Sequence, residues 1–304
     1  MTDVVIQLLT EIAGRAAVTV DEPMSKHTSF KIGGLADVMI QPTDAQRLAA
    51  ILKLIKETDT PYFVMGNGSN LLVGDKGIRG VVIKIGDGMS DCDVSGNKIT
   101  AMSGIKLSRL GKTALNNELA GLEFACGIPG TLGGAVYMNA GAYGGEMKDV
   151  VKAVTFVDQT DCSIHTIPKE ECDFGYRHSV FSDKDCIVTG AVMELTPGNK
   201  DEIKERMNDL AARRTEKQPL DKPSAGSTFK RPEGYFAGTL IQDAGLKGVA
   251  VGGAEVSVKH SGFVINNGGA TADDVRRLIE LVQNKVMEKY GVKLEPEVKF
   301  VGEF

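Results

Sequence analysis

The chain has 304 residues, 42% of them apolar and 25% charged, enough for two or three domains that each bury a core. A formal net charge of −5, with acids and bases mixed along the chain, leaves no electrostatic footprint for nucleic acid. The start, MTDVVIQLLTEIAGRAAV, is patterned as an amphipathic helix carrying Asp3 and Glu11. It lacks the basic start and long apolar core of a signal peptide, and no other segment is long enough to span a membrane.

After that helix, TSFKIGGLADVMIQP predicts a strand interrupted by Gly33-Gly34. TDAQRLAAILKLIKET places Leu48, Ile51, Leu52 and Ile55 at helical spacing, and Thr43-x-x-Gln46 predicts a capping box at its start. PYFVM and GVVIKI predict strands on either side of a glycine turn, an α/β or α+β alternation. NKITAMSG predicts another strand, and IKLSRLGKTALNNELAG a helix closed by Gly121. The runs VKAVTFVD, SIHTIP and CIVTGAVMEL, separated by turn residues, predict antiparallel strands. KDEIKERMNDLAARRTEKQ is a polar helix suited to a hinge or border, and it puts the expected domain boundary near residues 197–222. Beyond Pro219, YFAGTLIQDAGL predicts a helix and AEVSV and GFVIN predict strands. ADDVRRLIELVQNKVMEKYG predicts a last helix opened by Thr271-x-x-Asp274.

Five cysteines, Cys92, Cys126, Cys162, Cys172 and Cys186, are scattered without a C-x-x-C pair, which suits reduced thiols in a cytoplasmic protein. With four dispersed histidines as well, no metal site is spelled out. The informative excess is glycine, 36 of 304 residues or about 12% against a usual ~7%. One cluster is MGNGSNLLV, directly after a predicted strand. Its glycines let backbone N–H groups approach an anion, and Ser69 and Asn70 add side-chain donors; a tight hairpin is the plain alternative. It is neither G-x-G-x-x-G nor G-x-x-x-x-G-K-[ST]. The second, GIPGTLGGAVYMNAGAYGGE, is too poor in large side chains to build much core. Main chain of this kind can lie flat against a large ligand, with Thr131 offering a hydroxyl and Asn139 an amide. A third stretch, PSAGSTFKRP, holds Ser227 between small residues and the cations Lys230 and Arg231. Nucleophile, proton donor, phosphate ligand and turn residue are all open there.

Taken together, the G-x-G-S-N-L loop and the later G-I-P-G-T-L-G-G…N-A-G-A-Y-G resemble the flavin-binding region of UDP-N-acetylenolpyruvoylglucosamine reductases. The likeness continues through FGYRHSVF, AGSTFKRP, IQDAGLKG…GGAEVS and LEPEV, in the family's order over nearly the whole chain. The resemblance implies an α+β protein whose residues 1–200 form a non-Rossmann FAD-binding unit of two small subdomains, about 1–88 and 89–200. Residues 201–304 would form an α+β substrate-binding domain, with the extreme C-terminus returning to the active site. The implied cofactor ligands are Gly66, Asn67, Gly68, Ser69, Asn70 and Leu71 in the first cluster. In the second they are Gly127, Gly130, Thr131, Gly133, Gly134, Asn139, Ala140 and Gly141. The implied reaction uses FAD and NADPH to reduce the enolpyruvyl group of a UDP-sugar to UDP-N-acetylmuramate, a peptidoglycan precursor.

Such a reduction needs hydride at one vinyl carbon, a proton at the other, and a cation or donor for the charge that develops on the carboxylate. Arg177, in GYRHS, matches the family's carboxylate-binding arginine, and Glu297, in LEPEV, its acidic residue. Glu295 lies two positions away and could share a strand face, so spacing alone does not choose between them. Ser227 matches the family's proton donor, and AGSTF has no G-x-S-x-G elbow for a hydrolase nucleophile. Lys217, Arg231 and His260 match substrate-binding positions. Only HSVFSDKD separates Arg177 from the next strand, so the tyrosine lid loop of some members has no room, and the chain resembles the shorter type. Rival readings are an FAD-dependent alcohol oxidase or dehydrogenase of the same superfamily, and a non-enzymatic nucleotide-sugar binding protein. No second dinucleotide fingerprint occurs, so NADPH and the UDP-sugar are expected to use one site in turn. A cytoplasmic monomer or weak oligomer, without membrane insertion or nucleic-acid partners, is expected.

Overall fold

The computed structural model describes residues 2–304 as a mixed α+β chain in two compact units. Unit 1 takes the chain up to Val20, then Val38–Asn67 and Gly80–Arg214. Unit 2 takes Asp21–Asp37, Gly68–Arg79 and Thr215–Phe304. The last crossing, at Arg214/Thr215, falls inside the helix Lys200–Lys217.

A four-stranded sheet runs in the order Val18–Pro23, Leu35–Ile40, Ile78–Lys84, Tyr62–Met65, with the last two parallel. In unit 1, Val38, Ile40, Val81 and Ile83 of this sheet close over Leu9 of the helix Asp3–Ala13. The same core takes Leu48, Ile51, Leu52 and Ile55 of the helix Ala45–Glu57, the face that the apolar spacing marks. The Thr43–Gln46 capping box does not form. Asp44, one residue on, accepts the Arg47 N–H at 2.7 Å, while Thr43 Oγ1 accepts from the Arg47 guanidinium.

The rest of unit 1 is a five-stranded antiparallel sheet in the order Ile164–Pro168, Val151–Asp158, Cys186–Glu194, Lys98–Met102, Cys92–Ser95. The short helices Leu107–Asn116 and Leu132–Tyr137 contribute Leu107, Leu110, Leu132 and Val136 to its core. The first of these helices stops at Asn116 rather than reaching Gly121. Glu118 turns left-handed at φ 56°, and Leu119–Ala120 leaves to pair with Thr196–Pro197.

Unit 2 sets the long helix Ala272–Tyr290 against a three-stranded antiparallel sheet, Ala250–Val251, Ala254–Val256 and Val264–Asn266. Val275, Leu278, Ile279, Val282 and Val286 recur at helical spacing and bury against Phe30, Ile32 and Leu72. Each such side chain contributes about 1.5–3 kcal/mol. Thr271 and Asp274 form the predicted capping box, at 3.0 and 3.1 Å. Asp75 accepts the next two N–H groups, of Ala272 at 2.8 Å and Asp273 at 3.1 Å, so the segment Gly68–Arg79 helps to cap the helix. No described helix is long and apolar enough to cross a membrane.

Candidate active site

The glycine-rich segment of unit 1 makes close backbone approaches. A Cβ on Gly66 would lie 2.5 Å from Thr131 Oγ1, and one on Gly133 would lie 2.9 Å from Ser103 Cβ. Asn67 Nδ2 donates to Pro129 O at 2.6 Å, tying the first cluster to the second. Gly130 O accepts from Leu107 N at 3.1 Å, and Thr131 is the buried N-cap of the helix Leu132–Tyr137. Gly134 is exposed, with nothing nearer to its added Cβ than Thr131 Oγ1 at 3.9 Å. Ser103 Oγ is fully buried and has no hydrogen-bond partner among the described residues. A hydroxyl left so costs free energy until a ligand or water takes it. Gly127 lies against Arg214, whose pKa is lowered by burial.

Asn139 is almost wholly buried, at 1% exposure, and its side chain serves protein partners. Nδ2 donates to Glu146 Oε2 at 3.0 Å and to Gly175 O at 2.9 Å, and Oδ1 accepts from Lys148 N at 2.9 Å. Ala140 is buried behind it, and Gly141 pairs with Glu146 in a two-residue ribbon. Gly175 opens the tight reversal that bridges to His178, and Arg177 sits in it with a left-handed backbone, φ 55°. A non-glycine residue in that region is strained and must be held by its surroundings. The Arg177 guanidinium stands 5.4 Å from the Tyr176 ring centroid. Glu146 is held below the usual carboxylate range, chiefly by its hydrogen bond to Lys148, with Asn139 and the Arg177 charge adding.

In unit 2 the serine and glutamate motifs meet through their backbones. Phe229 and Pro296 form an antiparallel bridge, flanked by Glu297 N donating to Thr228 O at 2.8 Å and Lys230 N donating to Glu295 O at 2.9 Å. On the other side, Thr228 N donates to Gly262 O at 2.8 Å, and its hydroxyl accepts from Val264 N at 2.9 Å. Thr228 is fully buried, whereas Ser227 before it is exposed. Glu295 and Glu297 now separate: Glu295 is exposed and 3.4 Å from Lys230, while Glu297 is half-buried. The first glycine cluster joins the same construction. Gly68 O accepts from Ser29 N, Ser69 is half-buried in the turn, and Asn70 Nδ2 donates to Glu297 O at 3.0 Å. From Leu71, paired with Lys299, the strand Leu71–Val73 runs parallel to Lys299–Val301.

Lys217 is the exposed last residue of its helix. The Arg231 guanidinium lies 4.0 Å over the ring of Phe236, which is 60% exposed. His260 Nδ1 accepts from Gly262 N at 3.1 Å, and its ring meets Phe263 edge-on at 4.9 Å. Burial lowers the His260 pKa, so the ring is neutral at pH 7 and its hydrogen is assigned to Nε2, a donor. Burial also pushes the Cys126, Cys172 and Cys186 thiols up to about 11, which removes them as thiolate nucleophiles.

Residues 36–167 match the family described as FAD binding domain, and residues 218–301 match UDP-N-acetylenolpyruvoylglucosamine reductase, C-terminal domain. The UDP-N-acetylenolpyruvoylglucosamine reductase of Caldanaerobacter subterraneus subsp. tengcongensis is 52% identical over 303 residues, 100% of each chain. This chain belongs to the UDP-N-acetylenolpyruvoylglucosamine reductase family. The reductase of Clostridioides difficile is likewise 52% identical over 301 residues, 99% of this chain and 98% of its own. The crystal structure of the reductase from Thermus caldophilus matches with a TM-score of 0.79 at 36% identity, over 93% of this chain and 98% of that one.

For a reductase of this family the unit 1 geometry fits FAD. Gly66 and Gly133 pack too closely on Thr131 and Ser103 for a Cβ, and it is the orphaned Ser103 hydroxyl that offers a donor of the kind a nucleotide cofactor accepts from. Reading the sequence missed Ser103, Arg214 and the tie from Asn70 to Glu297. Ser103 is the turn residue after an ordinary strand, and Arg214 stands in a polar helix, so neither carries a local signal.

Proposed function

We infer that the chain is an NADPH-dependent flavoenzyme that reduces the enolpyruvyl group of UDP-N-acetylglucosamine enolpyruvate to UDP-N-acetylmuramate. The observation that carries this reading is the bridge at Phe229 and Pro296. It sets the exposed Ser227 hydroxyl and the half-buried Glu297 carboxyl on adjoining segments, in a chain of this family. Bound FAD supplies hydride exchange between NADPH and the vinyl group.

The glycine backbone around Gly66, Gly130 and Gly133, with Thr131 and Ser103, would hold the cofactor. Arg177 binds the substrate carboxylate through its planar guanidinium and meets the negative charge that grows there as hydride adds. Glu297 serves as the acid toward the substrate. Ser227 holds the proton for the other vinyl carbon. Lys217 and Arg231 bind the diphosphate and pyruvyl parts, and His260 donates from Nε2. The reaction's soluble substrates and the unpaired cysteines support a cytoplasmic setting.

An anaerobic flavin spectrum tests the reading. The band should bleach on adding NADPH and return on adding the enolpyruvyl sugar. Sustained NADPH loss in air without the sugar would support the oxidase reading. Absence of any affinity for FAD would leave a nucleotide-sugar binding protein.

A further inference from the structure

The peptide of Glu297 is held at both ends. Its N–H donates to Thr228 O at 2.8 Å, the residue after Ser227, and its carbonyl accepts from Asn70 Nδ2 at 3.0 Å. Asn70 is itself fixed from the far side, because its carbonyl accepts from Lys299 N at 2.9 Å and the parallel ladder begins one residue later at Leu71. Pro296 before Glu297 has no N–H to give, and Val298 after it is buried. The amide of Asn70 therefore bridges the gap between the antiparallel pairing at 228–230 and the parallel pairing that starts at Lys299.

We propose that Asn70 is a positioning residue for Glu297: its side chain fixes the Glu297 carbonyl, and with it the direction of the carboxyl, instead of serving as a ligand of the cofactor. The proposal rests on the functional reading of Glu297 as the acid on the substrate carboxylate. An amide is suited to this and a carboxylate is not, since only the amide donates to a carbonyl oxygen. A displacement of a catalytic group by about 1 Å costs on the order of 10²-fold in rate.

The test is Asn70→Asp, which keeps the shape and removes the donor, made in the FAD-loaded enzyme. FAD content and the rate of flavin reduction by NADPH should match wild type, while reoxidation by the enolpyruvyl sugar should slow by about 10²-fold. The loss should fall on the rate constant of that second step and leave the apparent Kd of the enolpyruvyl sugar unchanged. In a Glu297→Gln background, Asn70→Asp should add little further loss, the signature of a residue that acts through its partner. If Asn70→Asp does not fold, Asn70→Ala is read in the same way. Loss of FAD with normal reoxidation, or a full additional loss in the Glu297→Gln background, would overturn the proposal. Failure of the wild-type enzyme to reduce the enolpyruvyl sugar would instead overturn the functional reading.

Discussion

Arg177 stands on a left-handed backbone that depends on side chains. Asn139 holds Gly175 from a buried position, and Glu146 and Lys148 complete its hydrogen bonds. Ser227 stands beside a backbone ladder, with Thr228 and Glu297 joined main chain to main chain. The difference teaches where each group is vulnerable. A residue held by a polar side-chain network can be loosened by one substitution at a distance. A residue beside paired peptides, as Ser227 is, tolerates changes in neighbouring side chains as long as the peptides stay paired, whereas Glu297 also leans on the Asn70 amide.

The largest contrast is expected between two arginines. Arg177→Ala should lower kcat by roughly 10²–10³, the usual loss for a donor aimed at charge that grows in the transition state. Under the proposed function Arg231, stacked on Phe236, meets charge already present on the substrate, so Arg231→Ala should act mainly on KM. If steady-state kinetics gave Arg231→Ala the lower kcat, the two assignments would have to be exchanged.

A smaller effect tests the network itself. Asn139→Ala leaves the Lys148 N–H without its partner and the Gly175 carbonyl with only the longer bond from His178 N at 3.4 Å, at about 1–3 kcal/mol for the donor left unsatisfied. Urea unfolding should register that loss, and kcat should fall with it while FAD affinity holds. A stable variant with weakened FAD binding would make Asn139 a cofactor ligand after all.

What could be read from the sequence follows from how far each signal reaches. The helix Ala45–Glu57 and the strands Val151–Asp158 and Cys186–Glu194 declare themselves through local periodicity. The segments Asp21–Asp37 and Gly68–Arg79 belong to unit 2 through partners such as Asn266 and Ala272, far along the chain, and no local pattern marks them. Asn139 and Asn70 read equally well as ligand donors, because a sequence shows the amide but not its partner. The partner of Asn70 is 227 positions away. The Gly226-Ser227 turn is legible as a turn, with Gly226 at φ 77°, but the proton-donor role came from the order of motifs.

The central claim is that Ser227 delivers the proton to the substrate, and stopped-flow absorbance at the flavin band of Ser227→Ala tests it most directly. The variant should bind FAD and be reduced by NADPH at the wild-type rate, since neither event needs the hydroxyl. Reoxidation by the enolpyruvyl sugar should slow by about 10²–10⁴, as for lost general-acid catalysis, and Ser227→Cys should recover part of it. Reoxidation of Ser227→Ala at the wild-type rate would contradict the account and leave Ser227 as a turn residue.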